Sequence, residues 1–267
     1  MQSYSVQFAN YTTHILQVNT QLQFLERTGV IDREGASYDV FPSSWFLFIS
    51  EPDAQKIYIQ FPDGEKTFDH PTAVFLPNKH LIHWRLLPGK VRWTAFRGES
   101  PLPSHLSERG LVLPWKQESF FRSTDEILKC IERQKEILAV LPTAFNNSKR
   151  AQQLKHHIDE NYLSGRRVRD FCHDLDMNES SLTHLFKKCY RLTPNDYLNR
   201  LKLNAAIKEL SINDMPLIEA CYESGFEEYS NFFRQFKQWL GVNPKHIVAA
   251  KNQTDFENDR DEELLST

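Results

Sequence analysis

The side chains able to act as nucleophiles or metal ligands are few and scattered along these 267 residues. The four cysteines are Cys130, Cys172, Cys189 and Cys221, and no two form a CxxC pair. That spacing points to free thiols in a reducing, cytoplasmic compartment rather than to a disulfide framework or a zinc site. His70, His80 and His83 read as ordinary loop and strand-end histidines. No GxSxG, P-loop, HExxH or GxGxxG sequence is present, so the sequence implies no enzyme, metal or cofactor. What remains is the chemistry of cations. The net charge is only −3, but its distribution is uneven. Residues 149–202 carry 11 Lys and Arg against 7 Asp and Glu, whereas residues 203–250 carry 4 against 6. A locally basic segment is the usual electrostatic footprint of a polyanion partner.

These cations need elements to hold them. Hydrophobic residues make up 40% of the chain and charged residues 25%, which suits a soluble globular protein of two modest domains. No apolar run is long enough for a membrane helix. The N-terminus has no basic segment followed by an apolar stretch, so no secretory signal is expected. Residues 37–97 alternate β-branched and aromatic residues with turn signals. Candidate strands are Tyr38–Phe41, Trp45–Ser50, Lys56–Phe61, Ala73–Leu76, His83–Leu87 and Val91–Phe96. Breakers at Pro42-Ser43, Pro62-Asp63-Gly64, Pro77-Asn78 and Pro88-Gly89 separate them, which predicts a small antiparallel barrel or sandwich. Residues 98–115, with three prolines and Gly110, read as a connection. From Ser123 the period becomes helical: Ile127, Leu128, Ile131, Ile137, Leu138 and Leu141 form a stripe that either packs on the β-domain or makes a dimer contact, with dimer contact favoured. The predicted fold is α+β, with a β-rich domain over 1–115 and a helical linker over 116–147. An all-α domain over 148–250 and an acidic, disordered tail over 251–267 complete it.

The all-α part repeats itself. Phe186-Lys187 and Pro194 recur as Phe236-Lys237 and Pro244, and Ser180 and Leu182 align with Ser230 and Phe232, all at an offset of 50. Upstream, Cys172 and Met177 align with Cys221 and Phe226 at 49. Each copy predicts a short helix (168–174, 217–224), a tight turn at Asp176 or Gly225, and a second helix (179–189, 229–239). Thr193-Pro194 or Asn243-Pro244 then caps the next helix. Two helices joined by so short a turn are a helix-turn-helix unit. A helix from Pro194 to about Leu210 joins the copies. It is long enough to set two second helices roughly one DNA turn (34 Å) apart. A plain helical bundle is the other reading of one such unit, and duplication weighs against it.

From about Leu154 to Val248 the sequence resembles the AraC/XylS family of bacterial transcription regulators. The residues that carry the resemblance are Lys202-Leu203, Ala206, Leu210, Leu217-Ile218-Glu219-Ala220-Cys221, Gly225-Phe226, Phe232, Phe236-Lys237, Gly241 and Asn243-Pro244. Departures are Asn204 where a small residue is frequent, Ala220-Cys221 for the usual Ile-Ala, Ser224 for Val, and Asp176 and Arg191 where Gly is common. The resemblance implies a double helix-turn-helix domain that regulates transcription at promoter DNA, in most cases as an activator working with RNA polymerase. It also implies base-reading side chains on the exposed face of each second helix: Ser180, Thr183 and His184 in one copy, Tyr229, Ser230, Phe233 and Arg234 in the other. Arg234 suits a bidentate contact to guanine. Phe233 reads either as a thymine-methyl contact or as packing, and His184 as a base contact or a solvated residue. Lys187, Lys188, Lys237, Arg166, Arg167 and Arg169 are expected at phosphates.

The same resemblance implies a sensing or dimerising N-terminal domain, often a cupin-like barrel, with a small-molecule effector and a homodimer as expected partners. The HxH pair followed by Glu of a metal-binding cupin is missing. Trp45, Phe48, Phe75, Trp84, Trp93 and Phe96 read as core before ligand box. The charge split predicts that copy one anchors and copy two grips weakly. An alternative is a regulator that acts mainly through protein contact, with weak DNA binding of its own. A DNA-repair methyl acceptor would need a reactive cysteine before residue 123, and none stands there.

Overall fold

Period-two alternation of apolar side chains builds the first half of the chain into two antiparallel sheets. The computed structural model describes residues 3–251, apart from 9, 50–56, 69, 116–119 and 214. The larger sheet runs β1 (Ser3–Gln7), β2 (Tyr11–Asn19), β3 (Leu22–Ile31), β10 (Gly89–Gly98), β5 (Ser44–Ile49), β8 (Thr72–Leu76), β11 (Leu111–Pro114), β12 (Ala139–Val140). The smaller runs β4 (Gly35–Val40), β9 (Leu81–Leu86), β6 (Ile57–Phe61), β7 (Gly64–Lys66). They meet face to face through clusters such as Ile49, Val74, Ile59 and Ile82, so the barrel stays open as two layers. Six strands fall where the alternation places them, although Ser50 and Lys56 lie outside the described residues.

Three expectations are corrected. The stretch 98–115 is not only a connection: Leu111 and Val112 pair with Phe75 and Val74 as an added strand. The helix begun at Ser123 ends at Glu132, because the bare edge of β11 competes for the backbone that follows. The Leu138 N–H donates to the Val112 carbonyl at 2.9 Å and the Leu141 N–H to that of Gly110 at 2.8 Å. The part of the favoured dimer stripe that lies on the helix is likewise used inside the chain, whereas Ile137 is exposed. Helix α1 (Thr124–Glu132) buries Ile127, Leu128 and Ile131 against Phe46, Phe48 and Phe96, and Ile131 is 4% exposed. Burial of each such side chain contributes about 1.5–3 kcal/mol, so none is free to serve a second subunit.

The second half is helical: α2 (Lys149–Asn161), α3 (Val168–Asp174), α4 (Glu179–Tyr190), α5 (Pro194–Ser211), α6 (Leu217–Glu223) and α7 (Tyr229–Leu240). At 1.5 Å per residue, the 18 residues of α5 span about 27 Å. Each unit keeps a separate core, one around Phe171, Leu182 and Phe186, the other around Ala220, Phe232 and Phe236. Both cores run on into the β-domain, the first through Val40 and Leu81, the second through Tyr4, Val6 and Ile15.

Candidate nucleic-acid interface

The repeat in sequence is a repeat in backbone. Asp176 (φ 50) and Gly225 (φ 85) occupy the same left-handed position after α3 and α6. Their N–H groups donate to His173 and Tyr222 carbonyls at 2.9 Å each, and the next residues, Met177 and Phe226, donate to Cys172 and Cys221. Arg191 (φ 59) and Gly241 (φ 72) close α4 and α7 alike. The two glycines meet this geometry without strain, whereas Asp176 and Arg191 pay a steric cost. Arg191 gains a compensating contact, with its guanidinium 4.2 Å from the Phe145 ring. At Gly225 a side chain is excluded twice, since a Cβ there would lie 2.6 Å from the Tyr162 carbonyl oxygen. Caps repeat too: Thr193 forms a reciprocal cap with Asp196, and the Asn243 side chain accepts from the Lys245 N–H at 2.9 Å. Cys172 and Cys221 are buried in their unit cores, and burial pushes both thiols up to about 11, so neither is a ready nucleophile.

This framework sets one face of each second helix toward solvent. On α4, Ser180 and His184 are exposed and Thr183 is half-buried. On α7, Ser230 and Arg234 are exposed, and Tyr229 and Phe233 are half-buried. Phe233 lies 6.3 Å from Tyr229, ring to ring, and so presents an edge while it packs. Arg234 donates through Nη2 to the Asn231 side chain at 2.9 Å, a bond that steadies the guanidinium on the helix surface. Hydroxyls, an imidazole and a guanidinium on such a face are the groups that bond base edges in a major groove.

The expected phosphate contacts divide into two sets. Lys187, Lys188 and Lys237 are exposed at the helix ends and make no ion pair among the described residues. The arginines are occupied. Arg166 pairs with Asp174 at 2.5 Å and lies over the Phe171 ring. Arg169 lies 3.7 Å from Asp170. Arg167 reaches across to the second unit, where its Nε and Nη2 donate to one Glu227 oxygen at 2.9 and 2.6 Å.

Sequence reasoning missed how firmly α5 is fixed to the β-domain. Asn204 explains its own departure from a small residue: its side-chain amide donates to the Val40 carbonyl at 2.7 Å. Arg200, 9% exposed, meets Asp39 at 3.4 Å and lies between the rings of Tyr38 and Trp239. Lys208 pairs with Glu99 at 2.9 Å. Ser224 likewise satisfies itself, donating to the Cys221 carbonyl at 2.9 Å. The histidines separate. His83 bonds the Tyr190 carbonyl at 2.9 Å, His70 is exposed, and His80 is buried, with burial and nearby Lys155 lowering its pKa to about 4. The aromatic set divides as well: Phe48, Phe75 and Phe96 are core, whereas Trp45, Trp84 and Trp93 line a cavity between the sheets and the second unit.

Two helix-turn-helix units on one linking helix define the class, a double helix-turn-helix module. A profile described as "Helix-turn-helix domain" matches residues 171–250. The raffinose operon transcriptional regulatory protein RafR of Pediococcus pentosaceus is 29% identical over 90 residues, 34% of this chain and 32% of that protein. The melibiose operon regulatory protein of Escherichia coli K12 is 24% identical over 101 residues, 38% of this chain and 33% of the relative. The chain thus spans about a third of the length of the curated relatives it matches. The likeness of fold is wider: ToxT of Vibrio cholerae O395, solved with (E)-4-(8-methylnaphthalen-1-yl)but-3-enoic acid, covers 85% of this chain and 99% of its own, with TM-score 0.51 and 12% identity. The C-terminal half of this chain is thus similar to a helix-turn-helix domain and to bacterial transcription regulators.

Proposed function

We propose that the chain is a sequence-specific, double-stranded-DNA-binding transcription regulator, an activator that works at promoters with RNA polymerase from the cytoplasm. The observation that carries the reading is the duplicated exposed face, Ser180, Thr183 and His184 on α4 and Tyr229, Ser230, Phe233 and Arg234 on α7, borne on one rigid linking helix. Lys187, Lys188 and Lys237 meet phosphates, with Arg166, Arg167 and Arg169 joining them where their acidic partners give way. The module spans 148–250 and follows a β-rich regulatory domain over 1–115, which holds a small organic effector; 116–147 connects them. A second copy of the chain occupies the neighbouring site on DNA.

A second reading has support in the charge around α7. Glu219, Glu223, Glu227 and Glu228 crowd the second unit, and Glu227 already holds Arg167. In that reading the chain grips DNA weakly and acts mainly through protein contact. A gel shift on duplexes selected from random sequence by the full chain separates the two. Specific binding that weakens in Arg234→Ala and Thr183→Ala, each by about 1–3 kcal/mol, supports base reading. Binding without sequence preference, unchanged in both variants, supports the protein-contact reading and sinks the first.

A further inference from the structure

We propose that Lys149 and Arg150 at the start of α2, with Lys188 and Arg191 at the end of α4, form a clamp on the DNA phosphates along the flank of the first unit farthest from the second. The proposal rests on the reading of the chain as a DNA-binding regulator and adds a contact outside the two reading faces.

A short loop brings the two helix ends together. The Phe145 N–H donates to the Cys189 carbonyl at 2.7 Å, and the Arg191 guanidinium lies 4.2 Å from the Phe145 ring. From Phe145 the chain runs through Ser148, the N-cap of α2, into Lys149 and Arg150. These two, with Lys188, Arg191 and the neighbouring Lys187, are exposed. Among the described residues no carboxylate lies within ion-pair distance of any of them. Asp196, the acid nearest Arg191 in sequence, serves the Thr193 cap instead, its Oδ2 accepting from the Thr193 hydroxyl at 2.7 Å.

Three of these cations stand where local structure disfavours them. Lys149 and Arg150 are the first two residues of α2, whose first turn carries no acid, so the partial positive charge of the helix start repels both. Arg191 holds φ 59, the left-handed position that Gly241 fills in the second unit without strain. Charges placed against local stability, with no counter-ion among the described residues, are the complement of a polyanion outside the chain. The second unit has no such patch. Gln238 and Gly241 stand at the offset-50 positions of Lys188 and Arg191, and its leading helix, α5, opens with Pro194-Asn195-Asp196.

Placement selects DNA over an acidic protein surface. Helices α2, α3 and α4 make a three-helix unit with α4 as the reading helix. In the homeodomain, a three-helix variant of the helix-turn-helix, the arm ahead of the first helix and the end of the third lie against the DNA backbone and the adjacent minor groove. Those are the two places that carry the cations here. The far end of α2 meets the second unit, where the backbone of Tyr162 and Leu163 crowds Gly225. The 13 residues of α2 set Lys149 about 20 Å from that contact, on the outer flank.

Salt titration of the full chain on a duplex it has selected from random sequence tests this, with hydroxyl-radical footprinting and scanning calorimetry on the same samples. The variants are the double change Lys149→Gln with Arg150→Gln, the single change Arg191→Gly, and, as a control, Lys90→Gln at an exposed lysine on β10. The expected slope of log affinity against log salt falls by about 1.8 in the double variant and about 0.9 in Arg191→Gly. Backbone protection on the outer flank is lost in both, and Lys90→Gln changes neither readout. Both clamp variants relieve a local conflict, so Tm holds or rises while binding weakens, which separates a lost contact from a damaged fold. Unchanged slopes and footprint, with Arg234→Ala and Thr183→Ala still weakening binding, overturn the clamp in favour of an acidic protein partner and leave the DNA reading standing. An equal fall in Lys90→Gln also overturns it, as an effect of net charge alone. A full chain that selects no duplex overturns the clamp and the DNA reading together.

Discussion

Gly225 and Asp176 hold equivalent turns, so replacing each should move stability in opposite directions. Gly225→Ala places a Cβ at φ 85, which costs about 1–2 kcal/mol for an L-residue. The same Cβ would lie 2.6 Å from the Tyr162 carbonyl oxygen and 3.0 Å from the Leu163 backbone. Those neighbours are main chain and cannot rotate away, so the turn must part from the end of α2 at a further cost of about 1–3 kcal/mol. The sum is about 2–5 kcal/mol, a fall in Tm on the order of 10 °C for a chain of this size. Asp176→Gly removes a left-handed aspartate at an exposed position. Its gain is partly offset by the freer unfolded chain, leaving less than about 1 kcal/mol of stabilisation. Scanning calorimetry measures both, and a gel shift on the same samples reports the second unit. A neutral Gly225→Ala, or an Asp176→Gly that destabilises, would refute the argument that the turns are equivalent.

Three further outcomes follow from the interface. Glu227→Gln releases Arg167 from its cross-unit pair and should strengthen DNA binding severalfold at low salt, with stability little changed because both partners are exposed; weaker binding would show the pair is needed to set the units. Lys187→Ala, Lys188→Ala and Lys237→Ala should each reduce the slope of log affinity against log salt by about 0.9, and Arg166→Ala, already paired, by less; equal slopes for all four would contradict the division into free and engaged cations. His80, neutral when folded with a pKa near 4 against about 6.5 unfolded, binds its proton more readily in the unfolded chain, so stability should fall between about pH 6.5 and pH 4; the limit is about 3 kcal/mol, and a His80→Gln chain with the same slope by urea unfolding would assign the effect elsewhere.

The helical half was legible because its information is local and duplicated. Turn residues Asp176 and Gly225, caps Thr193 and Asn243, and the apolar positions Leu182, Phe186, Phe232 and Phe236 all specify one geometry twice. The β half was legible only where strands are short and apolar. Tyr11–Asn19 and Leu22–Ile31 carry Thr, Gln, Asn and Arg on faces that prove half-buried against the second unit and the cavity, so their alternation is muted. At Leu138 and Leu141, apolar spacing alone fits helix or strand, and an edge strand 27 residues earlier, Leu111–Pro114, decided the matter. The candidate interface was legible as a set of positions, but not which cations are engaged. Arg167 finds Glu227 sixty residues away, and no local pattern encodes that pair. The cavity lined by Trp45, Trp84 and Trp93 carries no signal at all in sequence, because it is assembled from eleven separate elements.

The central claim is that both units read one duplex. Hydroxyl-radical and methylation footprinting of the full chain on a selected duplex test it most directly. The account predicts two protected major-groove segments on one face, about 10–10.5 base pairs apart, one lost in Arg234→Ala and the other in Thr183→Ala. A single protected segment that survives Arg234→Ala, or two segments on opposite faces of the helix, would contradict it.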